Sequence, residues 1–275
     1  MRITSDWHAL FLLAAALAAC SRPAVELGAA DYAALKLPML CHAADRPGAG
    51  GSLETSGGVP FQVRAPRNYD GRFGHPLIVV FAPAGFGRLQ SERFANLSGP
   101  ATHAGFLVAY SDHRKLAMGT FRQLGEIPMQ VARRWCVDEH RVYLAGHSDG
   151  GTTAAAVTFL MTSSIPPAAI AVSGAGIREQ DLAANPCAPP VSVMVLHSRN
   201  DKLFPPPDFG REAAQWWAAC NRCEPAPATT STDGCLVFRG CWAGVTTRYC
   251  ETALAHEDWP PYGAQILAFF TRRRP

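Results

Sequence analysis

Short, unbroken apolar runs restrict this chain more than any other feature. Residues 76–82 (PLIVVFA), 105–111 (GFLVAYS), 141–146 (RVYLAG), 168–174 (AAIAVSG) and 191–198 (VSVMVLHS) lack the apolar-polar alternation of a strand with one wet face. Each must be a strand covered on both sides. Helix-like stretches lie between them, near residues 91–103, 121–135, 149–163 and 208–220. Residues 61–66 (FQVRAP) add a strand, a last one is expected near 244–252, and YGAQILAFFTRR follows as a terminal helix. Strand and helix alternate, which predicts an α/β fold with a mostly parallel central sheet and helices on both faces. At 275 residues and 48% hydrophobic, the chain can bury one sizeable core. With no internal repeat and no dividing linker, a single domain is expected over 61–275.

In such a sheet ligands bind beyond the carboxyl ends of the strands. Reactive residue types recur at that edge. Ser148 follows the run ending at Gly146, His197 and Asp201 end and follow the run through Leu196, His256 follows the last strand, and the loop APAGFG follows Phe81.

Gly146-His147-Ser148-Asp149-Gly150 fits G-x-S-x-G, a sharp strand-to-helix turn that exposes a serine hydroxyl. The residues two before and two after the serine approach so closely that only glycine fits. His147 and Asp149 flank the serine but leave a tight turn in divergent directions, so neither can serve it in line. They are assigned structural work, except that the Asp149 N–H, following the nucleophile, is one expected oxyanion donor.

A serine hydroxyl needs a base to take its proton, and the base needs a third group to fix its tautomer. In this type of sheet the chain order is Ser, then acid, then His. Asp201, in the loop after an apolar strand, is the expected acid, with Asp208 as its rival. His256 is the only histidine after Asp201 and is the expected base. His197 precedes the acid and is given a core or turn role, while Glu257 and Asp258 are expected to face solvent. The remaining histidines, His113 among them, have no motif around them.

Residues 1–19 carry Arg2 and the apolar stretch ALFLLAAALAA, too short to span a bilayer and read as an export signal. Leu17-Ala18-Ala19-Cys20 resembles the bacterial lipobox, in which the cysteine is lipidated; ordinary cleavage after Ala18 is the alternative. Ser21 after Cys20 would by the same resemblance favour the outer membrane of a Gram-negative host. Residues 20–60 then form a lipid-anchored tether and irregular lead-in, ending in the turn-rich RPGAGGSLETSGG. The chain has nine cysteines, so lipid on Cys20 leaves an even number for disulfides in an oxidising compartment. A zinc or redox role for Cys220-Asn-Arg-Cys223 is the less favoured reading, so neither metal nor cofactor is expected. A formal net charge of +3 points to no nucleic-acid partner. Trp216-Trp217 is expected to give one core face and one exposed edge.

YDGRFGHPLIVVFAPAG, WCVDEHRVYLAGHSDGG, VSVMVLHSRNDKLFPP and the HEDWP segment, with WWAACNRC and the later cysteines, resemble secreted α/β-hydrolase esterases of the polyhydroxybutyrate depolymerase and feruloyl or acetylxylan esterase group. The resemblance runs from about Phe61 to Phe270. It implies an α/β-hydrolase fold with a cysteine-rich insertion before the last strand, Ser148 as nucleophile, Asp201 as acid and His256 as base. It also implies an ester substrate: polyhydroxyalkanoate oligomers or feruloyl and acetyl esters. Three positions depart from the group's pattern. Ala82-Pro83 stands where His-Gly is usual, so the second oxyanion donor falls to Ala84 or Gly85, since proline has no N–H. Two residues rather than one separate His256 from Trp259-Pro260, and Asp149 stands where Asn or Ala is usual. Phe86, Phe204 and Trp259 are the expected substrate-contacting residues. An inactive envelope lipoprotein with a binding role, and a peptidase on the same fold, are the competing expectations.

Overall fold

A computed structural model describes residues 37–38, 50–225 and 229–271. The expected signal, Cys20, Cys41, most of the tether and Arg272–Arg274 lie outside the described residues. The strands are β1 (Leu37–Pro38), β2 (Gly50–Glu54), β3 (Pro60–Arg64), β4 (Phe73–Phe81), β5 (Leu107–Ser111), β6 (Val137–His147), β7 (Ala169–Ser173), β8 (Ser192–Ser198), β9 (Thr229–Thr230), β10 (Leu236–Phe238) and β11 (Thr247–Thr252). They form one sheet in the order β2-β3-β5-β4-β6-β7-β8-β11-β10-β9, with β1 also paired to β4. The stretch β5-β4-β6-β7-β8-β11 is parallel throughout. At both ends the added strands run antiparallel.

The apolar runs are unbroken because neighbouring residues serve different cores. Leu77, Val79 and Phe81 point to one face, where they meet the helices Asp149–Phe159 and Arg211–Cys220 and the buried Leu124, Ile127 and Val131. Ile78 and Val80 point to the other, packing with Ala95, Ala101, Ile266, Leu267, Phe269 and Phe270. Burying a branched or aromatic side chain in this way stabilises the fold by roughly 1.5–3 kcal/mol each.

The chain passes from β4 to β5 on one side, then crosses to β6 on the other side of β4. The strand order reverses there, and in open α/β sheets the ligand crevice opens at that reversal, beyond the carboxyl ends. The loop after β4 and the turn after β6 therefore face each other across the expected site.

Several expected elements differ. Gly50–Glu54, read as irregular lead-in, is a strand because β3 supplies its hydrogen-bonding edge, Leu53 opposite Phe61. The helix expected over 91–103 is two, Arg88–Ala95 and Ser98–His103, broken at Asn96, whose φ of 49° is left-handed. Asparagine tolerates that conformation better than most residues. The helix expected over 121–135 is also two, Met118–Gly125 and Ile127–Ala132, the second carrying Pro128 in its first turn. A proline fits there and cannot continue a helix from the preceding turn. Trp216 and Trp217 are both buried, at 9% and 1% exposure, so neither presents an exposed edge. Trp216 crosses Phe159 and Trp217 edge-on, which covers the face expected to be wet.

The cysteine-rich insertion is not a loose loop but an extension of the sheet, β10 pairing with β11 and β9 with β10. Disulfides Cys187–Cys220, Cys223–Cys241 and Cys235–Cys250 fasten it. Cys220 and Cys223 thus take different partners, and Cys136 is disulfide-bonded as well. Among the described residues, no helix is long and apolar enough to cross a membrane.

Candidate active site

Ser148 sits between β6 and the helix Asp149–Phe159 with φ 54° and ψ −123°. A non-glycine residue with positive φ is strained. Two hydrogen bonds fix it: its N–H donates to Ser173 O at the end of β7, and its O accepts from Thr152 N–H, both at 2.9 Å. The flanking glycines are required by space. A Cβ on Gly146 would overlap the Gly150 carbonyl, and one on Gly150 would overlap Phe81 O and come within 3.0 Å of the Ala82 carbonyl carbon. The same contact brings the loop after β4 directly against the turn.

The loops after β8 and β11 bring in the other two groups. His256 Nε2 is 2.9 Å from Ser148 Oγ, and its Nδ1 is 2.7 Å from Asp201 Oδ2. A carboxylate can only accept, so Nδ1 carries the ring hydrogen and Nε2 is left to accept from the serine hydroxyl. Asp201 is buried, and its Oδ1 accepts from Leu203 N–H at 3.0 Å and Phe204 N–H at 2.8 Å. Asp208, the rival acid, is exposed, as are Glu257 and Asp258.

Two further histidines, His147 and His197, are buried beside the site and hydrogen-bond to its loops. His147 Nε2 lies 2.6 Å from His256 O, and Nδ1 lies 2.9 Å from Ser173 Oγ. A carbonyl only accepts, so Nε2–H donates to it and the neutral Nδ1 accepts from the Ser173 hydroxyl. Burial pushes the His147 pKa down to about 4, which keeps the ring neutral. His197 Nε2–H donates to Phe204 O at 2.8 Å, bracing the loop of Asp201 from beneath, and burial lowers its pKa also.

After β4 the chain makes a tight turn in which Phe86 N–H donates to Pro83 O at 3.1 Å. Gly85 takes φ 76°, as the third position of a type II turn requires, with Ala84 at the second. No hydrogen bond among the described residues uses the Ala84 N–H. The Asp149 N–H opens a helix and so belongs to the donors a helix leaves unpaired. Around the site Phe204 meets the His256 ring edge-on at 5.1 Å, while Phe86 and Trp259 pack on Phe94 at 5.4 and 6.0 Å.

Sequence reasoning missed Phe94 and His113. Phe94 lies on the helix Arg88–Ala95 and touches Phe86, Trp259 and the His147 ring. His113 Nε2 is 2.9 Å from Asp149 Oδ2, so the aspartate contributes a carboxylate contact as well as the N–H expected of it. Only the unexplained Asp149 in the motif hinted at such a partner.

The sequence matches no family model and no curated protein. Among solved structures it is similar to the acetyl xylan esterase from Aspergillus awamori, at a TM-score of 0.64 and 12% identity over 81% of this chain and 99% of that one. It is also similar to a butyrate-bound thermophilic esterase from Thermogutta terrifontis, at a TM-score of 0.48 and 15% identity over 76% and 85% of the two chains. For the S-formylglutathione hydrolase from Staphylococcus aureus the values are 0.46 and 14%, over 57% and 82%. The first likeness, with the strand order above, shows the α/β-hydrolase fold.

Proposed function

We propose that the protein is a serine carboxylic-ester hydrolase that works through an acyl-enzyme. The observation that carries this reading is the hydrogen-bonded line Ser148 Oγ, His256 Nε2, His256 Nδ1, Asp201 Oδ2, with separations of 2.9 and 2.7 Å across the ring. His256 takes the serine proton as Oγ bonds to the ester carbonyl carbon, and the carbonyl π pair moves onto oxygen. The N–H groups of Asp149 and Ala84 hold that oxyanion. Pro83 is no obstacle, because it opens the turn and the donor is the next residue. The imidazolium returns its proton to the departing alcohol, and water repeats the sequence to release the acid. Asp201 stabilises the imidazolium throughout.

The aromatic walls Phe86, Phe94, Phe204 and Trp259 suit a short acyl or a feruloyl group, and the resemblance adds polyhydroxyalkanoate oligomers as rivals. The disulfides suit an oxidising compartment. Export through residues 1–19 and lipidation at Cys20 complete the reading. The intact Ser-His-Asp line favours turnover over a binding role.

Ser148→Ala is expected to abolish hydrolysis of para-nitrophenyl acetate and labelling by a fluorophosphonate. Retained activity removes the assignment. A panel of acetyl and feruloyl sugars against hydroxybutyrate oligomers decides the substrate, and Cys20→Ser releasing the protein from membranes tests the anchor.

A further inference from the structure

His113 touches both segments that carry the proposed oxyanion donors. Its ring Nε2 is 2.9 Å from the carboxylate of Asp149, whose own N–H is one donor. Its main-chain N–H donates to Phe86 O, also at 2.9 Å, closing the turn that holds Ala84, the other donor. The neighbouring Asp112 adds to the brace: its Oδ1 accepts from Arg88 N–H at 2.6 Å, and the Arg88 guanidinium reaches both carboxylate oxygens at 3.1 Å. The loop after β5 is thereby fastened to the loop after β4 and to the first residue of the helix after β6. A hydrolysis step that develops negative charge between those two loops needs their N–H groups fixed in advance.

The Asp149 side chain makes that fixing more demanding. It places a carboxylate on the very residue whose N–H faces the developing oxyanion. A carboxylate turned toward that charge would oppose it. We infer that His113 is a positioning residue for the oxyanion hole, holding the Asp149 carboxylate away from the reacting centre and keeping the two N–H donors in register. The inference rests on the acyl-transfer reading above. His113 touches no reacting atom and moves no proton; its effect is confined to the tetrahedral state, not to ester binding.

The test uses the full-length chain with His113→Ala, His113→Gln, Asp149→Ala and the His113→Ala/Asp149→Ala pair. Hydrolysis of para-nitrophenyl acetate is read as separate kcat and KM values. Inhibition by phenylboronic acid, whose serine adduct is a tetrahedral anion, is read as Ki. Removing an oxyanion donor outright costs about 100- to 1,000-fold in kcat, so misaligning one in His113→Ala is expected to cost roughly 10- to 100-fold with KM within about two-fold. The boronate Ki rises by about the same factor as kcat/KM falls. Glutamine can still donate to the Asp149 carboxylate, so His113→Gln keeps kcat within about three-fold of wild type. Both single alanine variants break one link, so the double variant is no slower than the slower single, to within about two-fold.

A kcat in His113→Ala within about two-fold of wild type overturns the inference. So does a loss appearing only in KM, an equal loss in His113→Gln, or multiplicative losses in the double variant. Thermal unfolding of each variant separates a loss of alignment from a loss of fold, and His113→Gln carries the test if the alanine variant does not fold. A wild-type chain that neither hydrolyses the ester nor reacts with a fluorophosphonate overturns the esterase reading itself, a result distinct from an active enzyme indifferent to His113.

Discussion

Asp201→Asn is the substitution whose consequence can be followed atom by atom. Oδ1 accepts from two N–H groups, those of Leu203 and Phe204, while Oδ2 accepts from His256 Nδ1 at 2.7 Å, with His197 Nε2 farther off at 3.8 Å. The asparagine amide has one oxygen and one NH2. Turning the NH2 toward Leu203 and Phe204 would set donor against donor twice in a buried place, at about 1–3 kcal/mol for each group left unpaired. The oxygen therefore stays on that side and the NH2 faces His256. The ring must then accept at Nδ1, which moves its hydrogen to Nε2, the atom proposed to take the Ser148 proton. The base is present, in place and in the wrong tautomer. A serine hydrolase so altered loses about 10,000-fold in kcat, or roughly 5.5 kcal/mol of transition-state stabilisation. Steady-state hydrolysis of para-nitrophenyl acetate reads kcat, and denaturant unfolding shows whether the fold is kept. The backbone bonds to Oδ1 survive, so stability is expected within about 1–2 kcal/mol of wild type. A kcat within about ten-fold of wild type would show that tautomer control by Asp201 is not what drives this site.

Gly150→Ala forces a methyl group into Phe81 O, a backbone atom in the central strand. It is expected to cost more than about 4 kcal/mol or to prevent folding, read by denaturant unfolding and by soluble yield. His147 has a folded pKa near 4 against an ordinary 6.5, so below pH 6.5 the unfolded chain binds the extra proton and stability falls as the pH drops. That single group should remove about 2 kcal/mol by pH 5 relative to pH 7.5, and His147→Gln should flatten the slope of unfolding free energy over that window. Cys187 and Cys220 close a loop across a separation of 33 residues. Their joint replacement by alanine should lower unfolding free energy by about 3–4 kcal/mol on the chain-entropy account.

The parallel core was legible because a strand buried on both faces leaves a run with no polar break, as in PLIVVFA, and two separate cores demand that pattern. The convergence of Ser148, Asp201 and His256 was legible because the glycine spacing around Ser148 states a steric need and the chain order of such sheets narrows the acid and base. Gly50–Glu54 was not, since a strand written GGSLE takes its shape from the edge of β3 rather than from its own residues. The helix breaks at Asn96 and before Pro128 were punctuated in the sequence, yet apolar periodicity ran across them. His113 was invisible for a different reason: its partner Asp149 is 36 positions away, and neither residue has a local pattern that names the other. The Cys235–Cys250 pairing rests on strand registry, Leu236 opposite Tyr249, which residue spacing does not encode.

β7 supplies no group to the proposed chemistry, yet its last residue, Ser173, and the following Gly174 tie the turn at Ser148 to the loops of His256 and Asp201. Ser173 O fixes Ser148, Ser173 Oγ fixes His147 and through it the carbonyl of His256, and Gly174 N–H donates to Leu196 O at the root of the Asp201 loop. The residues proposed to meet a substrate, Phe86, Phe94, Phe204 and Trp259, hang instead from segments after β4, β8 and β11. Precision and selectivity thus have separate addresses in this chain. An engineer could exchange the three peripheral segments to change which ester is accepted, leaving 169–174 untouched as the datum from which the reacting atoms are measured.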